Sequence, residues 1–395
     1  MSTDVALGRS LTILLMALLG SVFGRDAQAA EDAGFQAAIN AIVPDPNETL
    51  FETHYVTSNE RHHGSSLSYL GARGGVFIGI GTDQNFELIP KLRPSHVVMV
   101  DFDQWVVDAH WIYAHLFRTR ATPRAFIAFF REEKIAAKRR ELRKIARSPE
   151  QARTLDKIFM RYRQEILTRL LGARTRLLSQ SGKGYLNNQE DYDAIRELVI
   201  RGRYAALRGD LTGKASLTSL ATTLRAQGLK VGAVSFSNAE QYFSYTKQFQ
   251  ANMRAFDYTS EAMLLRTFRV SGRHYEYYLQ SMSAFLEWMS PGGAKTIQRL
   301  ISKRIATPHP RIFVLPGRKT CLTGLCPSIN TCPDVPFTGC CSREVLTWCI
   351  YGEVQSVDCA LTETSCGWSK DLTMYTCGGG DEAPLSFEMT CHNAL

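Results

Sequence analysis

Gly75-Val76-Phe77-Ile78-Gly79-Ile80-Gly81-Thr82-Asp83-Gln84-Asn85-Phe86 joins an apolar run to a glycine turn and the start of a helix. A second apolar run, Val97–Val100, ends in Asp101, 20 positions after Gly81. Glycine lets the backbone approach a ligand and exposes the N–H groups of a helix N-terminus, while the later carboxylate can accept hydrogen bonds from a ribose diol. The pattern predicts the first βαβ unit of a Rossmann-type domain.

Polar residues also follow two later predicted strands. The run from Tyr204 ends in Gly209-Asp210, and the run from Lys230 ends in Ser237-Asn238. In an open parallel sheet, ligands bind at these carboxyl ends. Four strand tips in this order are the arrangement of S-adenosylmethionine-dependent methyltransferases, with the glycine turn under the methionine and the acid after strand two on the ribose. The predicted cofactor-binding residues are Gly79, Gly81, Gln84, Asn85, Asp101, Asp210 and Ser237.

NAD is the competing cofactor, because a Gly-x-Gly turn and a distant acid also suit a dinucleotide. S-adenosylmethionine is favoured, since Gln84 stands where pyrophosphate approach would need a small residue. The candidates on the substrate side are Asn238, Tyr242 and His274. An amide or hydroxyl could orient a nucleophile, and His274 could act as a base near neutral pH. The alternative is that Tyr242 and His274 are ordinary core or surface residues.

Several of these motifs also resemble those of a protein family. The motifs are Val56-Thr57-Ser58-Asn59-Glu60, the run from Gly79 through Phe86 to Asp101, Gly209-Asp210, Ser237 through Tyr242, and Ser271-Gly272-Arg273-His274-Tyr275. They resemble the markers of an uncharacterised bacterial family with a methyltransferase-like Rossmann fold, over roughly residues 35–290. The resemblance implies the fold and no proven reaction. The chain departs from the family pattern by carrying a basic insertion at 131–176 in place of a longer glycine-rich segment.

The N-terminus has the three-part plan of a secretory signal peptide. Arg9 precedes an apolar run from Leu11 to Phe23, and Ala27-Gln28-Ala29 is a small-x-small cleavage signal. The apolar run falls short of the roughly 20 residues that span a bilayer as a helix. We expect a signal peptide at 1–29, export of the chain, and no transmembrane segment in the mature protein. An uncleaved N-terminal anchor or a buried helix is the alternative.

The cysteines also indicate an exported protein. All 10 lie within Cys321–Cys391. An even number in such a short stretch of an exported chain predicts disulfides, and the adjacent Cys340 and Cys341 must bond to different partners. A zinc module is the alternative, but Cys-x-x-Cys pairs are absent and the nearest histidine is His392. The tail resembles small cysteine-rich modules of exported bacterial proteins, through Cys340-Cys341 and Cys366-Gly367-Trp368.

The net charge of the chain also changes sign near the start of the cysteine-rich tail. Residues 321–395 carry a net charge of −7, and residues 1–320 carry +15. Residues 131–176 hold 15 Lys and Arg against 6 acids, with apolar residues at helical spacing and a break at Ser148-Pro149. Two amphipathic helices are predicted there. Their basic face is either solvated or a site for an anionic envelope surface; export disfavours nucleic acid as the partner.

The predicted fold class is α/β, a Rossmann-type, class I methyltransferase-like doubly wound sheet with a basic helical insertion and a small disulfide-rich C-terminal module. The predicted domains are a signal peptide at 1–29, the Rossmann domain at 30–306, a linker at 307–320 and the cysteine-rich module at 321–395. Tyr275–Trp288 is expected to be a helix. His62-His63 is expected in a surface loop or helix cap, or else in a loop over the ligand cleft.

The function predicted from the sequence is that of an S-adenosylmethionine-dependent, methyltransferase-like protein whose acceptor is unknown. This cofactor is expected to be scarce outside the cytoplasm, which conflicts with export. The alternative is therefore an exported, non-catalytic Rossmann-fold protein that binds an envelope component or an anionic partner.

Overall fold

The computed structural model describes residues 34–46, 53–61, 63–271, 274–318, 339–350, 353–362, 364–369 and 374–381. The predicted signal peptide and Gly272-Arg273 of the family motif lie outside these described residues.

An eight-stranded sheet forms the body of the protein. Its strands are β1 (Val76–Ile80), β2 (His96–Asp101), β3 (Tyr204–Arg208), β4 (Val231–Ser235), β5 (Tyr258–Ser271), β6 (His274–Ser281), β7 (Ile305–Ala306) and β8 (Ile312–Val314). The spatial order is β3-β2-β1-β4-β5-β6-β8-β7. The first five strands in this order are parallel, and β6 and β8 run antiparallel to them. The prediction of an α/β fold with a large, mostly parallel sheet is confirmed.

Helices cover both faces of the sheet, which explains why its central strands are continuous apolar runs. The helices are α1 (34–40), α2 (His63–Ser66), α3 (Asn85–Leu92), α4 (Gln104–Thr119), α5 (Pro123–Ala128), α6 (Ile135–Lys144), α7 (Pro149–Ser181), α8 (Gln189–Ile200), α9 (Ser216–Ala226), α10 (Lys247–Ala255), α11 (Met282–Trp288) and α12 (Ile297–Ile301). Successive residues of β1 point to opposite faces: Phe77 packs into the core under α3, α4, α7 and α8, and Ile78 into the core under α1, α9 and α10.

The basic insertion forms two helices, as predicted. Ser148 caps α7 by accepting a hydrogen bond from the backbone N–H of Gln151, and Pro149 occupies the first helical turn. Part of the positive charge is neutralised locally, because Arg139 and Arg143 both pair with Asp156. The anionic envelope partner stays a prediction.

Two segments differ from their predictions. Tyr275–Trp288 is not one helix, because its first half is β6; Tyr277 faces one core and Tyr278 the other, the alternation of a strand. Residues 307–318 were expected to be linker, yet they contain β8, which pairs with β6. The prolines and basic residues of this segment are typical of a linker, but the segment also contains a short apolar strand in which Ile312 is fully buried.

The C-terminal part is small, antiparallel and disulfide-bonded. Strands β9 (Cys340–Ser342), β10 (Val345–Ile350) and β11 (Glu353–Asp358) form one sheet, and β12 (Cys366–Ser369) and β13 (Met374–Cys377) form a hairpin. Disulfides join Cys341 to Cys366 and Cys359 to Cys377. Cys340 is also disulfide-bonded, so the predicted separate partners of Cys340 and Cys341 are confirmed. The described ranges contain no cluster of His, Cys, Asp and Glu that could hold a metal ion.

The helices within the described ranges include none that combines the length and the apolar character needed to cross a membrane.

Candidate functional site

The glycine turn after β1 is filled by side chains of the protein itself. The Gln84 Nε2 donates to the Ile80 carbonyl (3.1 Å), and the Asn85 Nδ2 donates to the same oxygen (2.9 Å). A methyl group on Gly81 would lie 2.6 Å from the Gln84 Nε2, and one on Gly79 would lie 2.7 Å from the Asn85 Cγ. Gln84 and Asn85 are almost completely buried. The two glycines therefore make room for these amides.

The tip of β2 is more exposed to solvent than the glycine turn. Asp101 is half-buried, and its Oδ1 accepts a hydrogen bond from the Asp103 N–H (2.9 Å). Burial raises the pKa of Asp101 to about 7. The neighbouring Phe102 is 49% exposed. The N–H of Gly81 donates to the Val100 carbonyl (3.3 Å), which places the glycine turn beside this acid.

Aromatic and acidic groups continue from this tip into α4. Asp103 caps the helix by accepting from the Trp105 N–H, and its Oδ2 pairs with the His54 Nδ1 (2.8 Å). The His54 ring stacks on the Trp105 ring, with centroids 4.1 Å apart. An acid with exposed and stacked aromatic groups beside it suits a ligand that carries hydroxyl groups and a flat ring.

Behind the glycine turn lies an ionic cluster, which consists of Glu60, His63, Asp83, Glu87 and Arg169. Each of the five is at most 9% exposed. Arg169 reaches in from α7: its Nε donates to the Asp83 Oδ2 (2.6 Å), its Nη1 to the Glu60 carbonyl (2.7 Å) and its Nη2 to the Glu87 Oε1 (3.4 Å). Burial would lower the pKa of Arg169, but the carboxylates of Asp83 and Glu87 outweigh burial and raise it.

The Glu60 carboxylate connects this cluster to the tips of β4 and β5. The His63 Nε2 contacts one of its oxygens, and the Ser237 and Thr267 hydroxyls donate to the other. Ser237 has a φ of 51°, a left-handed conformation that costs a non-glycine residue roughly 1–2 kcal/mol. Such strain is typical of functional sites. A cavity of about 10 Å3 lies beside Ser237 and His63, which is room for about one water molecule.

The Glu60–His63 pair makes stability depend on pH. Burial would raise the pKa of Glu60, but His63 and the two hydroxyls outweigh burial and lower it. Burial would lower the pKa of His63, but Glu60 and Glu87 outweigh it and raise the pKa. The stabilisation from Glu60 is lost as pH falls below its ordinary pKa of 4.5, and that from His63 is lost as pH rises above its ordinary 6.5.

We expect the melting temperature of the protein to exceed that of a His63→Gln variant by the largest margin between about pH 4.5 and 6.5. Above that range the margin should shrink, because His63 loses its proton. Thermal melts of both proteins from pH 4 to 9 measure this margin. A margin that stays constant from pH 5 to 9 would show that His63 is not charged in the folded protein.

The structure brings some of the predicted site residues together and separates others. Ser237 joins the ionic cluster, and Gly81 lies beside Asp101. Asp210 is exposed and accepts from Thr212 within its own loop. The Asn238 Nδ2 approaches the Tyr242 hydroxyl (3.5 Å), and Tyr242 is 74% exposed. The backbone of His274 occupies the first position of β6, and its side chain lies outside the described part.

Sequence reasoning missed most of the ionic cluster. His63 lies at the start of α2, in line with the helix-cap alternative, but it is buried, so the surface-loop alternative is wrong for this residue; His62 lies outside the described residues. One signal for Arg169 was present in the sequence: it falls between Ile166 and Leu170 on the apolar face of α7, where a solvated arginine is not expected.

The loop after β3 is also held by a side chain of the protein itself. Asp45, from the segment after α1, accepts hydrogen bonds from the backbone N–H groups of Asp210 (3.3 Å) and Ala215 (2.8 Å). These bonds outweigh burial and lower the pKa of Asp45. The loop that carries Asp210 is thus fixed by the chain itself.

A family model described as "Domain of unknown function (DUF7790)" matches residues 55–312. A search of the curated proteins finds no match.

Proposed function

We propose that this chain, which belongs to the DUF7790 family, is an exported Rossmann-fold binding protein that holds a nucleoside-like ligand through Asp101 and does not transfer methyl groups. The observation that carries the proposal is the filled glycine turn. Gln84 and Asn85 fold back over Gly81 and Gly79 and bond to the Ile80 carbonyl, so the turn is not the open cradle that the methionine half of S-adenosylmethionine would be expected to use. Asp101, in contrast, is half-buried, and its neighbour Phe102 is exposed.

S-adenosylmethionine fits only one half of this site. Asp101 and Phe102 suit its ribose and its base, because a carboxylate accepts from a diol and an aromatic ring stacks on a base. Its methionine half would face a glycine turn that two buried amides already fill by bonding to the Ile80 carbonyl. The arrangement therefore supports binding through the ribose and does not support methyl transfer.

Export supports a binding role. Disulfides such as Cys341–Cys366 and Cys359–Cys377 form and persist in oxidising compartments. In such a compartment a methyltransferase would lack a ready supply of its cofactor.

The second candidate function is an S-adenosylmethionine-dependent methyltransferase. It is favoured by the parallel order β3-β2-β1-β4-β5, in which Asp101 follows the second strand and the winding reverses between β1 and β4. Its acceptor is unknown, and Asn238 and Tyr242 remain its substrate-side candidates.

Calorimetry with the purified protein distinguishes the two functions. If the proposed binding role is correct, adenosine and S-adenosylhomocysteine bind with similar affinity, because the amino-acid half gains no contacts. Asp101→Asn should weaken both by about tenfold or more, since a hydrogen bond to a charged group contributes roughly 1.5–3 kcal/mol.

Asp210→Asn is the matched control, because Asp210 is an exposed acid at the tip of the next strand. It should leave binding unchanged. The methyltransferase function instead requires S-adenosylhomocysteine to bind much more tightly than adenosine, and Asp210→Asn to weaken it. If neither ligand gives heat, the binding site is misassigned.

The affinity should also rise from about pH 6 to about pH 8. The pKa of Asp101 is about 7, and only the ionised carboxylate accepts two hydrogen bonds from a diol. The Asp101→Asn variant should lose this dependence. An equally steep rise in the variant would assign the titration to another group.

A further inference from the structure

A groove of about 660 Å3 lies near the amino ends of β1, β2 and β3, whereas Asp101 lies at the carboxyl end of β2. It runs between the C-terminal end of α3 and one face of α8, beside the residues that precede β2 and β3. Its volume is within the range of small-molecule sites, roughly 300–1,000 Å3. It is independent of the nucleoside-like site proposed above.

The floor of the groove is apolar. It is formed by Leu70, Ile89, Pro90, Ala194 and Leu198; Pro90 and Ala194 supply most of its exposed apolar surface, because the other three are already buried. Ala194 is a small, exposed residue in the middle of α8, and it leaves the floor open. Such a surface favours an apolar ligand body, because burying it removes apolar area from water.

The rim of the groove is mainly cationic. Its basic residues are Lys91, Arg93, Lys183, Arg201 and Arg203, and its acidic residues are Glu190, Asp191 and Glu197. Two of the acids are already paired: Glu197 with Arg201 (2.5 Å) and Glu190 with Lys183 (4.0 Å). Arg93 is exposed and forms no ion pair within the described part of the chain. The rim therefore has positive charge to offer to a ligand.

Arg93 also has an unusual backbone. It ends α3 with a φ of 47° and a ψ of 53°, the left-handed conformation in which helices usually place glycine. A cation near a helix C-terminus is favourable, but Lys91 in the last turn supplies one without this strain. An arginine kept in a strained position at the mouth of a groove points to a function of its side chain.

We infer that this groove binds a small apolar ligand that carries one anionic group, such as a carboxylate, sulfonate or phosphate. The apolar floor takes the body of the ligand, and Arg93 holds the anion at the rim. A guanidinium suits this role because its planar donors match the geometry of these anions.

The test uses 8-anilinonaphthalene-1-sulfonate as the probe, in a fluorescence titration of the full chain. N-phenyl-1-naphthylamine, which has the same rings without the sulfonate, is the neutral comparison. Arg93→Gly should weaken binding of the anionic probe by about tenfold and leave the neutral probe unchanged. The same variant should melt at a higher temperature, because glycine relieves the strain.

Lys134→Gly is the matched control. Lys134 is an exposed cation with a φ of 58°, at the start of α6 and outside the groove. The Lys134→Gly variant should gain stability in the same way and should bind both probes with unchanged affinity. Ala194→Trp fills the floor and should weaken both probes. The inference is overturned if the anionic probe does not saturate, if either Arg93→Gly or Ala194→Trp binds it like the unmodified chain, or if Lys134→Gly weakens its binding as much as Arg93→Gly does.

Discussion

Replacing Arg169 with methionine is expected to lower the free energy of unfolding by about 3–5 kcal/mol at pH 7. Arg169 is the cation that faces the buried carboxylates of Asp83 and Glu87. Methionine fills much of its volume but removes the cation that pairs with both carboxylates, and a buried charge that loses its partner is strongly destabilising. The loss should be smaller at pH 5, because burial already raises the pKa of Glu87 and protonation then removes its charge.

Urea denaturation followed by fluorescence measures this loss. Arg153→Met is the matched control, because Arg153 is an exposed arginine on the same helix; its effect should stay within about 0.5 kcal/mol. Adding Asp83→Asn and Glu87→Gln to the Arg169 variant should restore part of the stability. Equal effects of the Arg169 and Arg153 substitutions would mean that the ionic cluster does not contribute to stability.

Removing the disulfide between Cys359 and Cys377 is expected to destabilise the C-terminal part by about 3 kcal/mol. The two cysteines are 18 positions apart, and loop-closure entropy for a ring of that size gives about 3 kcal/mol. Cys359 is completely buried, so a serine at this position would also place a hydroxyl group in an apolar site. The open form should become about 100-fold more populated.

Chymotrypsin cleavage within residues 339–381, followed by mass spectrometry, measures this population. The Cys359→Ser/Cys377→Ser variant should be cut about 100-fold faster than the unmodified chain, provided that opening and closing are fast relative to cleavage. A reducing agent should bring the unmodified chain to at least this rate, because it also breaks the Cys341–Cys366 disulfide, and should leave cleavage within 63–271 unchanged. Similar rates for both proteins without reductant would show that this disulfide does not hold the C-terminal part together.

The central sheet was predictable because its strands carry their own signals. Val76–Ile80 and Val97–Val100 are short apolar runs that end in a glycine turn or an acid, and burial on both faces requires such runs. The β6 strand was missed because its tyrosines suit either a helix or a strand when read alone. The pairing of Tyr277 with Thr267 of β5, 10 positions earlier, decides between them, and the residues of β6 read by themselves do not include that partner.

The site was predictable only at its strand tips. Gly81, Asp101 and Ser237 lie at the carboxyl ends of β1, β2 and β4, which the parallel topology brings to the same side of the sheet. Glu60 and Arg169, in contrast, are 109 positions apart, and no local rule pairs two polar residues across such a distance. The sequence also could not show that Gln84 turns back over Gly81, since the direction of an amide side chain depends on the backbone carbonyl that it finds.

The position of β1 in the sheet has a consequence for how the protein folds. Val76 pairs with His96 on one side and with Val231 on the other, so one edge of this apolar strand stays open until residue 231 has been synthesised. Pairing between such distant segments slows folding, and an open apolar edge can recruit the same strand of another chain. We therefore expect slow refolding, and aggregation of any chain that ends before β4, with β1 as the segment through which the copies associate.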